Sequence, residues 1–362
     1  LGEFHDILPG TVVKDGEENA HQLFYSAKKI LSDYRTGAFL YLAMNNTVVS
    51  EGEFPIFAFN YAPHKVNAVV EFEFSLADQN WSEEFEYVPH VYFDGKEIPS
   101  QQIKERSTLN LDWRKRVAVE ADLAPLGMTR FTVKVEQAKK RDKRIVAANV
   151  EESFAEDVPD EIKLLCYDDS ADPWAMSPEE RKALGKNPRE FAVMTDGQAE
   201  EFCAAEGLKP LHVIEDGRLF RSYEKFFTFG KTNAVVEYRI YKNKPFTDVK
   251  ITVEFAEKNK LIRARIPMPH GVTVGDGPYI VEPKPTSGEI SFQKWVGVKT
   301  PDGKIHAVIN DCVYGGTTGD GCIELTLLRG AGYCFHPIRD RELYPKDRYL
   351  PRIDSGRYEF NL

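Results

Sequence analysis

The sequence predicts a mainly β protein: a short N-terminal helical segment, a small antiparallel β-sandwich and a large C-terminal β-supersandwich. Three observations carry that expectation. After Phe54 apolar residues recur at period two and are rich in β-branched and aromatic types. Period-3.6 patterning is concentrated in one stretch before residue 45. Gly, Pro, Asp and Asn turns, not long linkers, separate the runs. The 362 residues suit two or three cores at roughly 150 residues each. The expected division is a helical remnant over 1–45, a small sandwich over 46–137 and the supersandwich over 138–362.

The helix rests on Ala20, Leu23, Phe24, Ala27, Ile30, Leu31 and Tyr34, which share one helical face. Acidic Asp15, Glu17 and Glu18 mark its start, and Lys28, Lys29 and Arg35 followed by Gly37 mark its end. The Ala38–Met44 run either extends it or opens a second turn. A lone amphipathic helix cannot bury its stripe, so an exposed face on Leu23, Phe24 and Ile30 is expected, and with it self-association into a homo-oligomer.

The small sandwich is read from five runs: Phe54–Phe59, Ala68–Phe74, His90–Phe93, Arg116–Glu120 and Arg130–Val135. Asp94-Gly95 signals a hairpin, and Ala124-Pro125-Leu126-Gly127 a bend. Residues 138–210 are the least regular: a basic run Lys139–Arg144, an acidic stretch over 151–161, then Cys166-Tyr-Asp-Asp-Ser-Ala-Asp-Pro-Trp174. Short helices are expected at Pro178–Leu184, capped by Ser177, and at Gln198–Ala205. The supersandwich strands follow at Ala234–Tyr241, Val249–Phe255, Leu261–Ile266, Gly288–Phe292, Lys294–Val298, His306–Ile309, Cys322–Leu328 and Arg357–Phe360.

Charge and composition exclude several functions. Lys plus Arg total 47 against 57 Asp plus Glu, a formal charge of -10 that repels a phosphate backbone, so nucleic acid is not an expected partner. No apolar run is long enough to cross a bilayer, and the first residues lack the basic and apolar regions of a secretion signal, so no membrane partner is expected either. Five cysteines without a CxxC pair argue against a disulfide framework and fit a reducing cytoplasm. The sequence opens without Met, which raises the expectation of a longer parent.

There is no G-x-S-x-G elbow, no H-E-x-x-H, no P-loop and no strand-borne G-x-G-x-x-G. Two stretches say more. Phe4-His5-Asp6-Ile7-Leu8-Pro9-Gly10-Thr11 precedes the helix; Leu325-Thr-Leu-Leu-Arg329, His336-Pro337 and Pro351-Arg-Ile-Asp-Ser-Gly-Arg-Tyr-Glu-Phe360 close the chain. Ala58-Phe-Asn60, Val69-Val-Glu71, Leu123-Ala-Pro-Leu-Gly127, Phe255–Leu261, Lys294-Trp-Val296 and Tyr314-Gly315 fall between them in order. In this collinear order the chain resembles glycoside hydrolase family 38, the zinc-dependent α-mannosidases, over nearly its whole length.

The resemblance implies a retaining exo-glycosidase acting on terminal α-mannosides, with the N-terminal catalytic barrel missing from this chain. It makes His5 the late zinc ligand and Asp6 the neighbouring residue that contacts metal or sugar hydroxyls. The nucleophile, the acid/base residue and the other zinc ligands would belong to the barrel, so the chain alone is expected to bind zinc weakly or not at all and to be catalytically silent. One His cannot complete a catalytic zinc site, and no carboxylate pair at retaining distance can be assigned. Two rivals stand beside this reading: a carbohydrate-binding or structural β-sandwich without catalysis, and a mutarotase-like epimerase, which would need an internal His–carboxylate pair. Asp168, Asp169 and Asp172 near Trp174 read as solvated loop carboxylates, with calcium chelation or the border of a sugar site as the sharper option. Arg329 reads as a charge directed toward the barrel or an interdomain ion pair. Asp6 without the resemblance, and Asp354, read as turn residues, and His270 and His336 as loop histidines.

Overall fold

The computed structural model describes residues 12–45, 48–106, 111–140, 162–170, 172, 188–319, 321–334 and 349–362. His5, Asp6, Trp174, His336 and the expected helix at 178–184 lie outside the described residues.

Helix α1 spans Lys14–Asn45, so the Ala38–Met44 run extends it. Gly37 does not end it, because strong helix formers follow and a Cβ there would meet nothing. The expected open face is present: Leu23, Phe24, Ile30, Leu31 and Tyr34 are all more than half exposed, and only Ala43 is buried.

Seven strands follow: β1 (Glu53–Phe59), β2 (Val66–Asn80), β3 (Phe85–Phe93), β4 (Lys96–Ile98), β5 (Ser100–Ile103), β6 (Asp112–Leu123) and β7 (Met128–Lys139). They form two facing sheets, ordered β1-β7-β3-β4 and β2-β6-β5. The inward residues Val91, Val117, Val119, Phe131 and Val133 make the core, each contributing about 1.5–3 kcal/mol by leaving water. Asp94 and Gly95 both have positive φ, 48° and 73°, the geometry of the tight hairpin expected there. At 124–127 the chain passes from one sheet to the other, with Leu126 at φ 43°. Asn60 ties this corner: its amide donates to the carbonyls of His64 and Ala124 at 2.9 and 3.1 Å.

The rest is built from β8 (Lys163–Asp168), β9 (Arg189–Glu190), β10 (Ala192–Val193), α2 (Asp196–Cys203), β11 (Leu211–Asp216), β12 (Phe220–Phe229), β13 (Thr232–Tyr241), β14 (Thr247–Phe255) and β15 (Lys260–Pro267). It continues through β16 (Val272–Gly277), β17 (Ile280–Pro283), β18 (Gly288–Ser291), β19 (Trp295–Lys299), β20 (Ile305–Ile309), β21 (Gly315–Gly319), β22 (Cys322–Arg329) and β23 (Gly356–Asn361). One sheet runs β10-β12-β13-β14-β23 with β11 beside β12; a second runs β18-β21-β22-β15-β8-β9; a third runs β17-β16-β19-β20. All three close on one core that includes Val236, Ile251, Ile262, Ile323, Leu325 and Val296. Helix α2 starts at a capping box in which Thr195 and Gln198 satisfy each other's backbone donors. Among the described residues no helix is long and apolar enough to cross a membrane.

The small sandwich and the supersandwich meet at a polar lock. Gln101, buried, accepts from the Leu219 and Phe220 amides at 3.0 and 3.1 Å and donates to the Phe220 carbonyl at 3.2 Å. Ile103 and Ala118 pack with Leu219 and Phe220 around it, and Glu71 links Arg116 to Arg239 across the joint.

Candidate functional site

A group of buried and half-buried ionisable side chains gathers where β8 and β22 end and α1 begins. β8 is sheathed on both sides, with Leu164, Leu165, Cys166 and Tyr167 all buried. It delivers Asp169 into the interior, and the neighbouring β15 holds the strand end by an Asp169 N–H bond to the Asn259 carbonyl at 2.9 Å. Opposite, β22 ends at Arg329, whose guanidinium grips Asp169 through two nearly parallel bonds, Nε to Oδ2 at 2.7 Å and Nη2 to Oδ1 at 3.0 Å. The Asp169 carboxylate is 1% exposed and its partner 27%. A paired fork of this kind is the geometry by which a buried carboxylate keeps its charge. The same guanidinium donates to the Asp172 carbonyl at 3.2 Å.

Asp169 is therefore a sealed ion-pair partner, not a solvated loop carboxylate, and Arg329 forms a pair within the supersandwich. Asp168 alone is surface-facing; it pairs with Lys260 and Arg189. Asp172 is buried. Among the described residues no three His, Cys, Asp or Glu side chains gather to hold a metal ion.

Asp354 completes the group. It is a turn residue, at φ 52°, and its Oδ2 accepts the Arg329 backbone N–H at 2.9 Å. Burial, and then the carboxylate of Glu17, push its pKa above the ordinary carboxylate range. Burial also raises the hydroxyl of Tyr333, which donates to Glu17, while burial followed by Asp354 and Glu17 lifts Tyr358 to about 12. Arg352, lowered by burial, donates Nη1 to the Asn259 side chain at 2.7 Å, and its Nε is buried without a partner. Close backbone approach fixes the turn after Arg329: a Cβ on Gly330 would lie 2.4 Å from the Glu257 carbonyl oxygen.

The cluster thus clamps the first turn of α1 through Glu17, and His5 and Asp6 precede that turn in the sequence. Several perturbed titratable groups in one place mark a functional candidate on physical grounds. The sequence places Arg329, Asp354 and Asp169 in view but reads Asp169 as a solvated loop carboxylate and not as the partner of Arg329; the apolar Leu164–Tyr167 run just before it is the signal that this strand end is interior.

No family model matches the chain, and no curated protein matches it. Solved structures do. The chain is similar to an α-mannosidase from Enterococcus faecalis V583, with a TM-score of 0.65 at 12% sequence identity over 97% of this chain and 47% of that one. It is also similar to a glycosyl hydrolase family 38 protein from Enterococcus faecalis, with a TM-score of 0.59 at 12% identity over 86% of this chain and 44% of that one. The chain spans less than half the length of either protein it matches. Its mainly β architecture is a fold found within family 38 glycosyl hydrolases.

Proposed function

We propose that the chain is the C-terminal portion of a retaining α-mannosidase that removes terminal α-mannose from glycans when joined to a catalytic barrel, and that it is silent by itself. The observation that carries this reading is the fold likeness, which spans 97% of this chain but 47% of an α-mannosidase chain. It agrees with the motif order of the sequence, in which Phe4-His5-Asp6 leads into α1 and the Leu325–Arg329 and Pro351–Phe360 segments close the chain.

In this reading His5 is one ligand of a zinc ion that holds sugar hydroxyls at the reacting ring, and Asp6 contacts the same hydroxyls. One imidazole does not fit a catalytic zinc, which uses three protein ligands, so no metal-dependent step belongs to this chain alone. Its own contribution is mechanical: the Arg329–Asp169–Asp354 group holds the loop 330–333, Tyr333 holds Glu17, and the clamped first turn of α1 fixes where the preceding segment enters. Such support matters because a reacting group displaced by about 1 Å can lose about 100-fold in rate.

The test is hydrolysis of an aryl α-mannoside. The chain alone gives no turnover; the chain joined to its own upstream region gives turnover that His5→Ala removes. Turnover by the chain alone that survives His5→Ala overturns the proposal, and an upstream region that encodes no barrel favours a binding or structural sandwich instead.

A further inference from the structure

The third sheet of the supersandwich ends in an unfinished edge. β20 pairs on one side with β19, in the register Trp295↔Ile309, Gly297↔Ala307 and Lys299↔Ile305. Among the described residues no strand pairs with its other side. Two flanking bonds set the phase of the ladder: Thr300 N–H to the Lys304 carbonyl at 2.9 Å and Asn310 N–H to the Lys294 carbonyl at 2.8 Å. Bonded and non-bonded pairs alternate in an antiparallel ladder, so His306 and Val308 exchange bonds with β19. The N–H and C=O groups of Ile305, Ala307 and Ile309 point the opposite way.

This edge carries none of the features that discourage strand addition. Positions 305–309 hold no Pro and no Lys, Asp or Glu, and the register has no bulge. Ile305 and Ile309 are 52% and 70% exposed. A cleft of about 1350 Å³ opens along the strand, walled in part by Phe246, Ile266, Met268 and Leu362, so there is room for another strand.

We propose that β20 is a dimerisation edge that pairs antiparallel with β20 of a second copy about a two-fold axis at Ala307. Apart from His306 opposite Val308, that axis sets the residues of Ile305-His-Ala-Val-Ile309 against apolar partners. Ala307 meets itself, Ile305 meets Ile309 of the second copy, and His306 meets Val308. Lys304 meets Asn310, so no like charges oppose each other. The phase is also right: on this axis the three outward residues form the bonded pairs, and each donates its N–H and accepts at its C=O. The interface is isologous and closes at two copies. The other occupants, an extended strand from a different protein or association through the open face of α1, are outcomes of the test.

The test is sedimentation velocity over a concentration series, with residue-resolved amide hydrogen exchange on the same samples. The expected result is a concentration-dependent dimer in which the amides of Ile305, Ala307 and Ile309 gain about tenfold protection or more, while those of His306 and Val308 change little. Ala307→Pro removes only an outward N–H and so spares the β19–β20 ladder; it abolishes the dimer. Ala307→Lys, which retains the N–H but sets like charges face to face across the axis, weakens dimerisation by about tenfold or more and serves if Pro disturbs the strand. A monomer at all concentrations overturns the proposal, as does a dimer that persists in both variants. Association lost instead on Leu23→Lys with Phe24→Lys assigns the interface to α1 and overturns it too. Protection of the three amides only when a different polypeptide is added does the same.

Discussion

The Arg329–Asp169 pair makes an asymmetric prediction. Arg329→Met keeps most of the side-chain volume but removes the bidentate fork at 2.7 and 3.0 Å from a carboxylate that is 1% exposed. That carboxylate keeps the Ser170 amide at 2.8 Å, a single neutral donor in place of a cation. Leaving a buried charge without its partner costs about 3–5 kcal/mol. Asp169→Ala leaves the cation instead, and Arg329, at 27% exposure, can still reach water and the Asp172 carbonyl. Its cost should be nearer about 1–3 kcal/mol, the desolvation of a partly satisfied donor group. The double variant removes both members of the pair and leaves neither unpartnered, so its cost falls below the sum of the two by about 2 kcal/mol or more. Urea unfolding followed by far-ultraviolet circular dichroism on all four proteins completes the cycle. The reasoning fails if Arg329→Met costs less than Asp169→Ala, or if the two changes are additive.

Asp354 gives a pH signature. Burial and then Glu17 raise its folded pKa above the ordinary 3.8, so the folded chain binds this proton more tightly than the unfolded chain. Its contribution to stability is therefore lost as pH rises from near 3.8 through the raised value. Asp354→Asn keeps an acceptor for the Arg329 N–H and tolerates the positive φ; it should be more stable than the parent at pH 7, with the gap closing below about pH 4 in urea titrations. A gap that stays constant with pH counts against the assignment. Gly316→Ala places a Cβ 2.0 Å from the Glu324 carbonyl oxygen, a backbone atom that cannot rotate away; a loss of about 2 kcal/mol or more should lower the urea midpoint. Gln101→Leu strips the partners from the Leu219 and Phe220 amides, and these two amides should exchange faster by about tenfold or more in hydrogen-exchange measurements.

The sequence is most legible where one face of a strand is buried and the other wet. Strand β13 alternates residue by residue, with Ala234, Val236 and Tyr238 inside and Glu237 and Arg239 on the other face, and that is the period-two pattern the eye finds. β8 hides because it is covered on both sides: Leu164–Tyr167 alternate nothing, and they sit in a region of charge runs that reads as irregular. β21 hides for a different reason. Gly315-Gly-Thr-Thr-Gly319 has the composition of a turn, yet Gly316 is there because β22 approaches too closely for any side chain. The length of α1 was obscured by Gly37, whose helix-ending tendency of about 1 kcal/mol is outweighed by the formers after it.

The candidate site resists reading for a reason of distance. Arg329 and Asp169 are 160 positions apart, and each alone looks like the charge that ends a strand. What turns them inward is the order β22-β15-β8 in the second sheet, which places the ends of two remote strands on either side of Asn259 and Gly330. The backbone bonds Asn259 N–H to the Gly330 carbonyl and Gly330 N–H to the Lys260 carbonyl, at 2.9 and 2.8 Å, draw these ends together. Charges brought that close in a dry site must pair or unfold it. The pairing is therefore a consequence of topology, and a local pattern carries no trace of it. The clamp on Glu17 follows in the same way, because Tyr333 is positioned by the bridge between Gly332 and Arg352 and not by any neighbour of Glu17 in sequence.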